Sequence, residues 1–404
     1  MLELKSAAAP NAELMKKLND SWSSVLARPE IGFPRLVDMD SDWQAILDRA
    51  KSAKPCSKIL VIGIGGSSLG VQVLVQALGV RAKADVHFLE SPDPMSWRKL
   101  GDLRSPEWRD RHVIVISKSG NTLETLAWVE RLNAVDAGWL KNSEVTVIAS
   151  PGEGPLQTWA KKTGIPCLWI PVSVGGRFSV LTAVGMLPAA LMGQNVAAFR
   201  EGARWALDNV ELVSQMSCEI LESWKRGEWI TQMWSYSEGL NKFGEWWQQL
   251  WGESLGKKLN RKGVEAPRAS TPMPCLGPRD QHSLVQQLME GARDKYVFVA
   301  RVRSEEAESA AFTPSLFPTM PFAGKSVTFG KVIGAEATAF ARSLEDVKIP
   351  HSLISMERLD EKTVGACFML WQMCIAQLGE YMCIDAFNQP GVESGKKYAA
   401  QFLK

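Results

Sequence analysis

No segment of this chain reaches the ~18 consecutive apolar residues that a membrane-spanning helix needs, so none is expected. The opening residues, MLELKSAAAPNAELMKKL, include acidic side chains and no long apolar stretch, which argues against a secretory leader. A cytoplasmic location follows as the expectation. The seven cysteines are odd in number and scattered, with no C-x-x-C pair and no Cys/His cluster at zinc spacing. Neither a metal site nor a disulfide framework is expected, and the thiols read as free or buried in a reducing compartment. Charge of one sign is also missing: 46 basic and 44 acidic residues leave a formal net charge of +2. That balance argues against a nucleic-acid binder while leaving room for a local basic pocket that takes one phosphate. Histidine is scarce, at four residues.

What is present suits a soluble globular protein. Hydrophobic residues make up 46% and charged residues 22%. A length of 404 residues is long for one core and suits two domains. Residues 11–28 and 41–54 have helical periodicity. After them come short apolar runs at 58–65, 86–90, 112–117, 144–150 and 166–172, separated by helical stretches. This alternation predicts a doubly wound parallel sheet. The stretch 182–222 reads as helical and ends that unit. Strand candidates return at 229–235, 296–302 and 351–356 with helices between, which predicts a second α/β unit without any strict sequence repeat. Residues 305–325, with Pro314, Pro318 and Pro321, read as a surface loop. The expected division is an N-terminal helical segment over 1–44, a first domain over 45–205 and a second over 206–404 that ends in a C-terminal helical segment. Tryptophan is abundant, at 16 residues, some in runs such as Trp246-Trp247 and Trp251. Packing in helix cores is the expected use, with a subunit interface also plausible on composition.

Two turns carry the first chemical signal. GIGGSSLG at 63–70 directly follows a strand and opens a helix, where glycines admit close approach and helix-start amides favour an anion. A dinucleotide fingerprint wants glycine where Ser68 stands, which disfavours a nicotinamide-dependent oxidoreductase. No Gly-Lys-Ser/Thr closes the turn, so it is not a P-loop. SKSGNTLET at 117–125 also lies between a strand and a helix. Its hydroxyls at Ser117, Ser119 and Thr122 can bind one phosphate that Lys118 neutralises. Ordinary turn chemistry and helix capping are the competing readings of each turn alone. Beyond the strand ends of one open sheet, however, the two can converge on a single anion.

These motifs resemble a known family. GIGGSSLG, SKSGNTLET, VGGRFSVLTAVG, EWWQQLWGESLGK, QHSLVQQLMEG and NQPGVESGKK occur in the order found in glucose-6-phosphate isomerases, from residue 63 to residue 397. The chain is similar to the compact bacterial type. The resemblance implies two sugar isomerase (SIS) domains, each a mainly parallel sheet flanked by helices in a three-layer sandwich, with helices at the N-terminus. It implies reversible conversion of D-glucose 6-phosphate and D-fructose 6-phosphate through a cis-enediol, in glycolysis and gluconeogenesis. No cofactor is implied, because a proton moves between adjacent carbons without net redox change.

Residue by residue, the resemblance makes Glu253 in WGESLGK the base that takes the C2 proton and returns it to C1. His282 in QHSLV matches the histidine of ring opening, for which imidazole suits proton relay near neutral pH. Lys396 matches the lysine at the same end of the substrate, and is chosen over Lys397 because it directly follows GVESG. Arg177 in VGGRFS matches the arginine that stabilises the developing enediolate. Ser67, Ser117, Ser119 and Thr122 match the phosphate-binding hydroxyls, with Lys118 beside them, and Gly66, Gly176 and Gln249 match positions lining the sugar. His87, His112 and His351 lie in or beside strands and read as structural.

Some positions depart from the family pattern. GPRDQHS lacks the usual threonine-containing lead-in to the histidine, the SKSGNT turn is less bulky than in long forms, and Asn388 stands where aspartate is common. Family members are usually homodimers with the histidine donated across the interface, and the same is expected here. The remaining alternatives are an isomerase of another hexose phosphate such as mannose 6-phosphate, and a non-catalytic phosphosugar sensor.

Overall fold

The computed structural model describes residues 1–6, 9–304 and 310–403. Its strands in chain order are β1 (Leu2–Ser6), β2 (Lys58–Ile62), β3 (Asp85–Leu89), β4 (Arg111–Ile116), β5 (Glu144–Ala149) and β6 (Cys167–Trp169), then β7 (Ile230–Tyr236), β8 (Thr271–Leu276), β9 (Lys295–Val302), β10 (Ala311–Phe312), β11 (Val327–Thr328) and β12 (His351–Met356).

The apolar runs of the first half form one five-stranded sheet in the order β3-β2-β4-β5-β6, with every pairing parallel. The centre of that sheet is covered on both faces, and all six residues of β4 are buried. This is why the strands read as continuous apolar runs rather than alternating ones. Because β2 pairs with both β3 and β4, the chain reverses its winding direction there and opens a crevice at the strand C-termini.

The second five-stranded sheet runs β8-β7-β9-β12-β1 and repeats the same winding around β7. Its first four strands are parallel, whereas β1 joins β12 antiparallel, with Leu2 opposite Met356. Two sheets flanked by helices therefore agree with the expected architecture. Two strands of this sheet were not legible. β8 contains Pro272 and Pro274, which lack the N–H of a regular ladder and place it at the edge. β1 is five residues long and lies in the stretch read as helical. The expected loop at 305–325 falls partly outside the described residues, and it is bounded by the short antiparallel pair of β10 and β11.

The helices expected at 11–28 and 41–54 occupy Ala12–Leu26 and Asp40–Ser52. The stretch 182–222 resolves into Ala183–Leu191, Val196–Asp208 and Val210–Lys225. A long helix, Glu361–Tyr381, is buried along most of its length and packs on Val196–Asp208 and Ala12–Leu26. The crossover helices that follow β2 and β7, Leu69–Leu78 and Asn241–Leu255, pack on each other and join the two units.

Trp246, Trp247 and Trp251 are buried on Asn241–Leu255. Trp247 meets Trp371 edge-on at 5.6 Å, and Trp251 Nε1 donates to the Ser270 carbonyl at 2.9 Å. This tryptophan run is core within the chain, so composition was no guide to an interface there. Among the described residues no helix is long and apolar enough to cross a membrane.

Candidate active site

The two turns singled out in the sequence sit at the C-terminal ends of β2 and β4, on either side of the crevice. Gly65 adopts φ +60, a left-handed conformation that favours glycine. A Cβ on Gly66 would lie 2.5 Å from the carbonyl carbon and oxygen of Gly176. Main chain therefore touches main chain, and the 63–68 turn is locked to the Gly175-Gly176-Arg177 turn.

In the second turn Ser117 Oγ and Thr122 Oγ1 share a hydrogen bond of 2.8 Å, and the Asn121 amide donates to Ser119 Oγ at 3.2 Å. Thr122 is the N-cap of helix Leu123–Val135 but its side chain makes no capping bond. Ser68 likewise leaves helix Leu69–Leu78 uncapped and turns its hydroxyl to Glu90. Both helix starts thus keep their positive ends directed at the crevice rather than satisfied by their own caps, which favours the anion-site reading over plain capping. Lys118 Nζ donates to the Val172 carbonyl at 3.3 Å. Burial, then the nearby charge of Arg177, holds this ammonium below the ordinary lysine range.

Arg177 is the hub. Its side chain is 1% exposed, yet each of its five N–H groups has an acceptor. Nε donates to Ser254 Oγ at 2.7 Å, and Nη1 to Glu253 Oε2 at 3.2 Å and Gln389 Oε1 at 2.6 Å. Nη2 donates to the carbonyls of Ala386 at 2.5 Å and Asn388 at 3.0 Å. Burial pushes the guanidinium downward and the Glu253 charge opposes it. An arginine so paired stays ionised.

Glu253, 31% exposed, is held from both sides. Besides Arg177, Gln249 donates from Nε2 to Glu253 Oε1 at 3.0 Å, one helical turn back. Gln249 Oε1 is buried and, among the described residues, has no hydrogen-bond partner. An orphaned acceptor beside a carboxylate is suited to a ligand hydroxyl, since leaving it unpaired costs about 1–3 kcal/mol. Gln249 also borders the first turn, because a Cβ on Gly65 would lie 2.8 Å from its Nε2.

Of the expected residues, Gly66, Gly176, Arg177, Gln249 and Glu253 come together at one point, with Ser67 in the adjoining turn and Lys118 within electrostatic reach of Arg177. Ser117, Ser119 and Thr122 line the neighbouring turn. His282 stands apart, exposed in the turn after β8. Among the described residues no hydrogen bond or ion pair joins it to the Arg177–Glu253 group. Lys396 is exposed on helix Glu393–Phe402, as is Lys397.

Three residues in the cluster escaped sequence reasoning. Ser254 and Lys257 lie inside WGESLGK, and Gln389 inside NQPGVE, so the motifs pointed at the segments without revealing their contacts. Among the described residues no group of three or more His, Cys, Asp or Glu is placed to hold a metal ion. The histidines expected to be structural are packed in the fold. His112 Nε2 bonds Thr146 Oγ1 at 2.8 Å, His351 Nδ1 lies 2.9 Å from the Ile349 carbonyl, and His87 packs on Trp108.

A family model described as phosphoglucose isomerase matches residues 41–404. The chain is 31% identical over 402 residues to a glucose-6-phosphate isomerase of Methanocaldococcus jannaschii, covering 95% of this chain and 93% of that one. It is 33% identical over 391 residues to a glucose-6-phosphate isomerase of Thermus thermophilus, covering 89% and 88%. Among solved structures, a protein of Thermus thermophilus described as hypothetical superposes with TM-score 0.87 at 28% identity, over 100% of both chains. A glucose-6-phosphate isomerase of Chlamydia trachomatis shares the fold, with TM-score 0.74 at 22% identity over 97% of this chain and 83% of that one.

Proposed function

This chain belongs to the phosphoglucose isomerase family, and we propose that its crevice performs the reversible isomerisation of D-glucose 6-phosphate and D-fructose 6-phosphate. The observation that carries the mechanism is the carboxylate of Glu253, held by Arg177 and Gln249 beside two uncapped helix starts.

The phosphate sits across the two turns, taking hydrogen bonds from Ser67, Ser117, Ser119 and Thr122 and charge from Lys118. The sugar then extends past Gly66 and Gly176, with room at Gly176, where a Cβ would meet nothing within 4 Å, and a hydroxyl donates to Gln249 Oε1. Glu253 removes the C2 proton of the open-chain aldose while the hydroxyl proton of C2 passes to the C1 oxygen, giving the cis-enediolate form of the enediol with its charge on the C2 oxygen. The same carboxylate returns its proton to C1, and the C2 oxygen becomes the ketose carbonyl. Every proton is accounted for and no electron leaves the substrate. Arg177 already uses all five donors, so it stabilises enediolate charge by exchanging one protein acceptor for substrate oxygen.

Ring opening requires a group at the ring oxygen, for which His282 and Lys396 are the candidates. The exposure of both supports a homodimer in which the partner copy supplies the histidine, with the active sites at the subunit interface. A cytoplasmic enzyme of central sugar metabolism fits this chemistry.

The test compares wild type with Glu253→Gln in the fructose 6-phosphate to glucose 6-phosphate direction. The variant keeps the hydrogen bonds of an amide-sized group and removes the base, so turnover falls at least about a hundredfold with sugar-phosphate binding retained. An active wild type with an undiminished variant would reject Glu253 as the base. Binding without turnover in the wild type would reject the reaction.

A further inference from the structure

The base-bearing helix Asn241–Leu255 ends at Gly256, and the last carbonyls of any helix lack partners within it. Lys257 supplies one: its Nζ donates to the Glu253 carbonyl at 2.7 Å. The same ammonium donates to the Asn388 carbonyl at 2.5 Å, on a segment far away in sequence. Asn388 O also accepts from Arg177 Nη2, so two cations converge on one main-chain oxygen.

The segment around it has little regular structure of its own. After the long helix ends at Tyr381, Phe387 N bonds only locally to Asp385 Oδ1, and a short turn at Pro390–Val392 leads into Glu393–Phe402. Gln389, which bonds Arg177, directly follows Asn388, and Lys396 follows on the last helix. Nothing in the proposed chemistry uses Lys257. Yet half-burying an ammonium that no carboxylate among the described residues pairs at Nζ costs free energy, and the fold nonetheless keeps Lys257 there. Burial and then the charge of Arg177 depress Lys257 to about 8, against the opposing pull of Asp385 and Glu253.

We propose that Lys257 is a positioning residue for the isomerisation, tying the end of the helix that carries Glu253 to the segment that carries Gln389 and leads to Lys396. It rests on the assignment of Glu253 as the base. Lys257 touches no reacting atom. It fixes the distance between the base and the C-terminal segment, and small displacements in such a pair cost large factors in rate.

The experiment uses the full chain with Lys257→Met and Lys257→Arg, measured two ways. Steady-state kinetics with fructose 6-phosphate should show Lys257→Met losing about tenfold or more in kcat with KM little changed, because the phosphate turns are untouched. Amide hydrogen exchange without substrate should quicken over 384–402 and stay unchanged over the first sheet. Lys257→Arg keeps a charged donor and should recover most of both. Wild-type kcat or wild-type exchange in Lys257→Met would overturn the proposal, as would a loss confined to KM or an equal loss in Lys257→Arg. If Glu253→Gln remained fully active, faster exchange over 384–402 in Lys257→Met would still establish the tie, which separates its failure from that of the base assignment.

Discussion

The two sheets wind identically around their first parallel strands, yet the turns after those strands have opposite fates. After β2 the chain reads GIGGSS, and the turn is pressed main chain to main chain against Gly176. After β7 it reads SEGLNK, and a Cβ on the equivalent glycine, Gly239, would lie 2.5 Å from the side-chain tip of Leu359. In the proposed site the first sheet offers its helix start to an anion. The second sheet instead uses the far end of its crossover helix, about 20 Å along at 1.5 Å per residue, to deliver Glu253. One topology thus supplies two different parts of one site, because a crossover helix has two ends and the two units pack through these helices.

The hardest blow to this division of labour is at the junction. Arg177→Lys keeps the charge and loses the fork that reaches Ser254, Glu253, Gln389, Ala386 and Asn388 together. Leaving buried acceptors unpaired should cost roughly 3–5 kcal/mol of stability, read by denaturant unfolding, along with at least about a hundredfold in kcat. An unchanged kcat would mean that the units do not meet functionally at Arg177.

Next come the paired glycines. Gly66→Ala drives a methyl against main chain that cannot yield, so sugar-phosphate KM should rise about tenfold or more, with a Tm drop. Gly239→Ala meets chiefly a flexible leucine tip and should stay within about twofold in KM. Equal effects at the two positions would erase the distinction drawn between the turns.

The last effect, small near neutral pH, distinguishes the sheets by acid sensitivity. His112, fully buried in β4 of the first sheet, is depressed to about 3 by burial and by the charge of Arg49. Its folded value lies below its unfolded one, so the unfolded chain binds the extra proton. Stability is complete above about pH 6.5 and falls as pH drops toward 3, by up to ~1.4 kcal/mol per pH unit from this group alone. His112→Gln should flatten that slope in urea melts between pH 6.5 and 4.5. An unaltered slope would mean that acid lability arises elsewhere.

Legibility from sequence followed burial and locality. The five strands of the first sheet were readable because both faces are covered, and because turn residues punctuate each apolar run. Proline in β8 hid a real edge strand, and the charge-bearing, only half-buried LELKS of β1, with no continuous apolar run, hid another. At the site, Arg177, Glu253 and Gln249 could be named from motifs. The partners that orient them could not, since Arg177 meets Gln389 only through a long-range approach of the chain. His282 and Lys396 were equally legible as motif residues, and both are exposed in the fold.

The antiparallel seat of β1 has a consequence for how the protein is made. Residues 2–6 leave the ribosome long before β12, their only strand neighbour among the described residues, has been synthesised. The first unit can assemble from nearby segments while the leading strand waits unpaired, and loop closure of that span grows only logarithmically with its length. That edge of the second sheet is therefore sealed by residues made long before their partner strand, which makes its docking a late, whole-molecule step in folding.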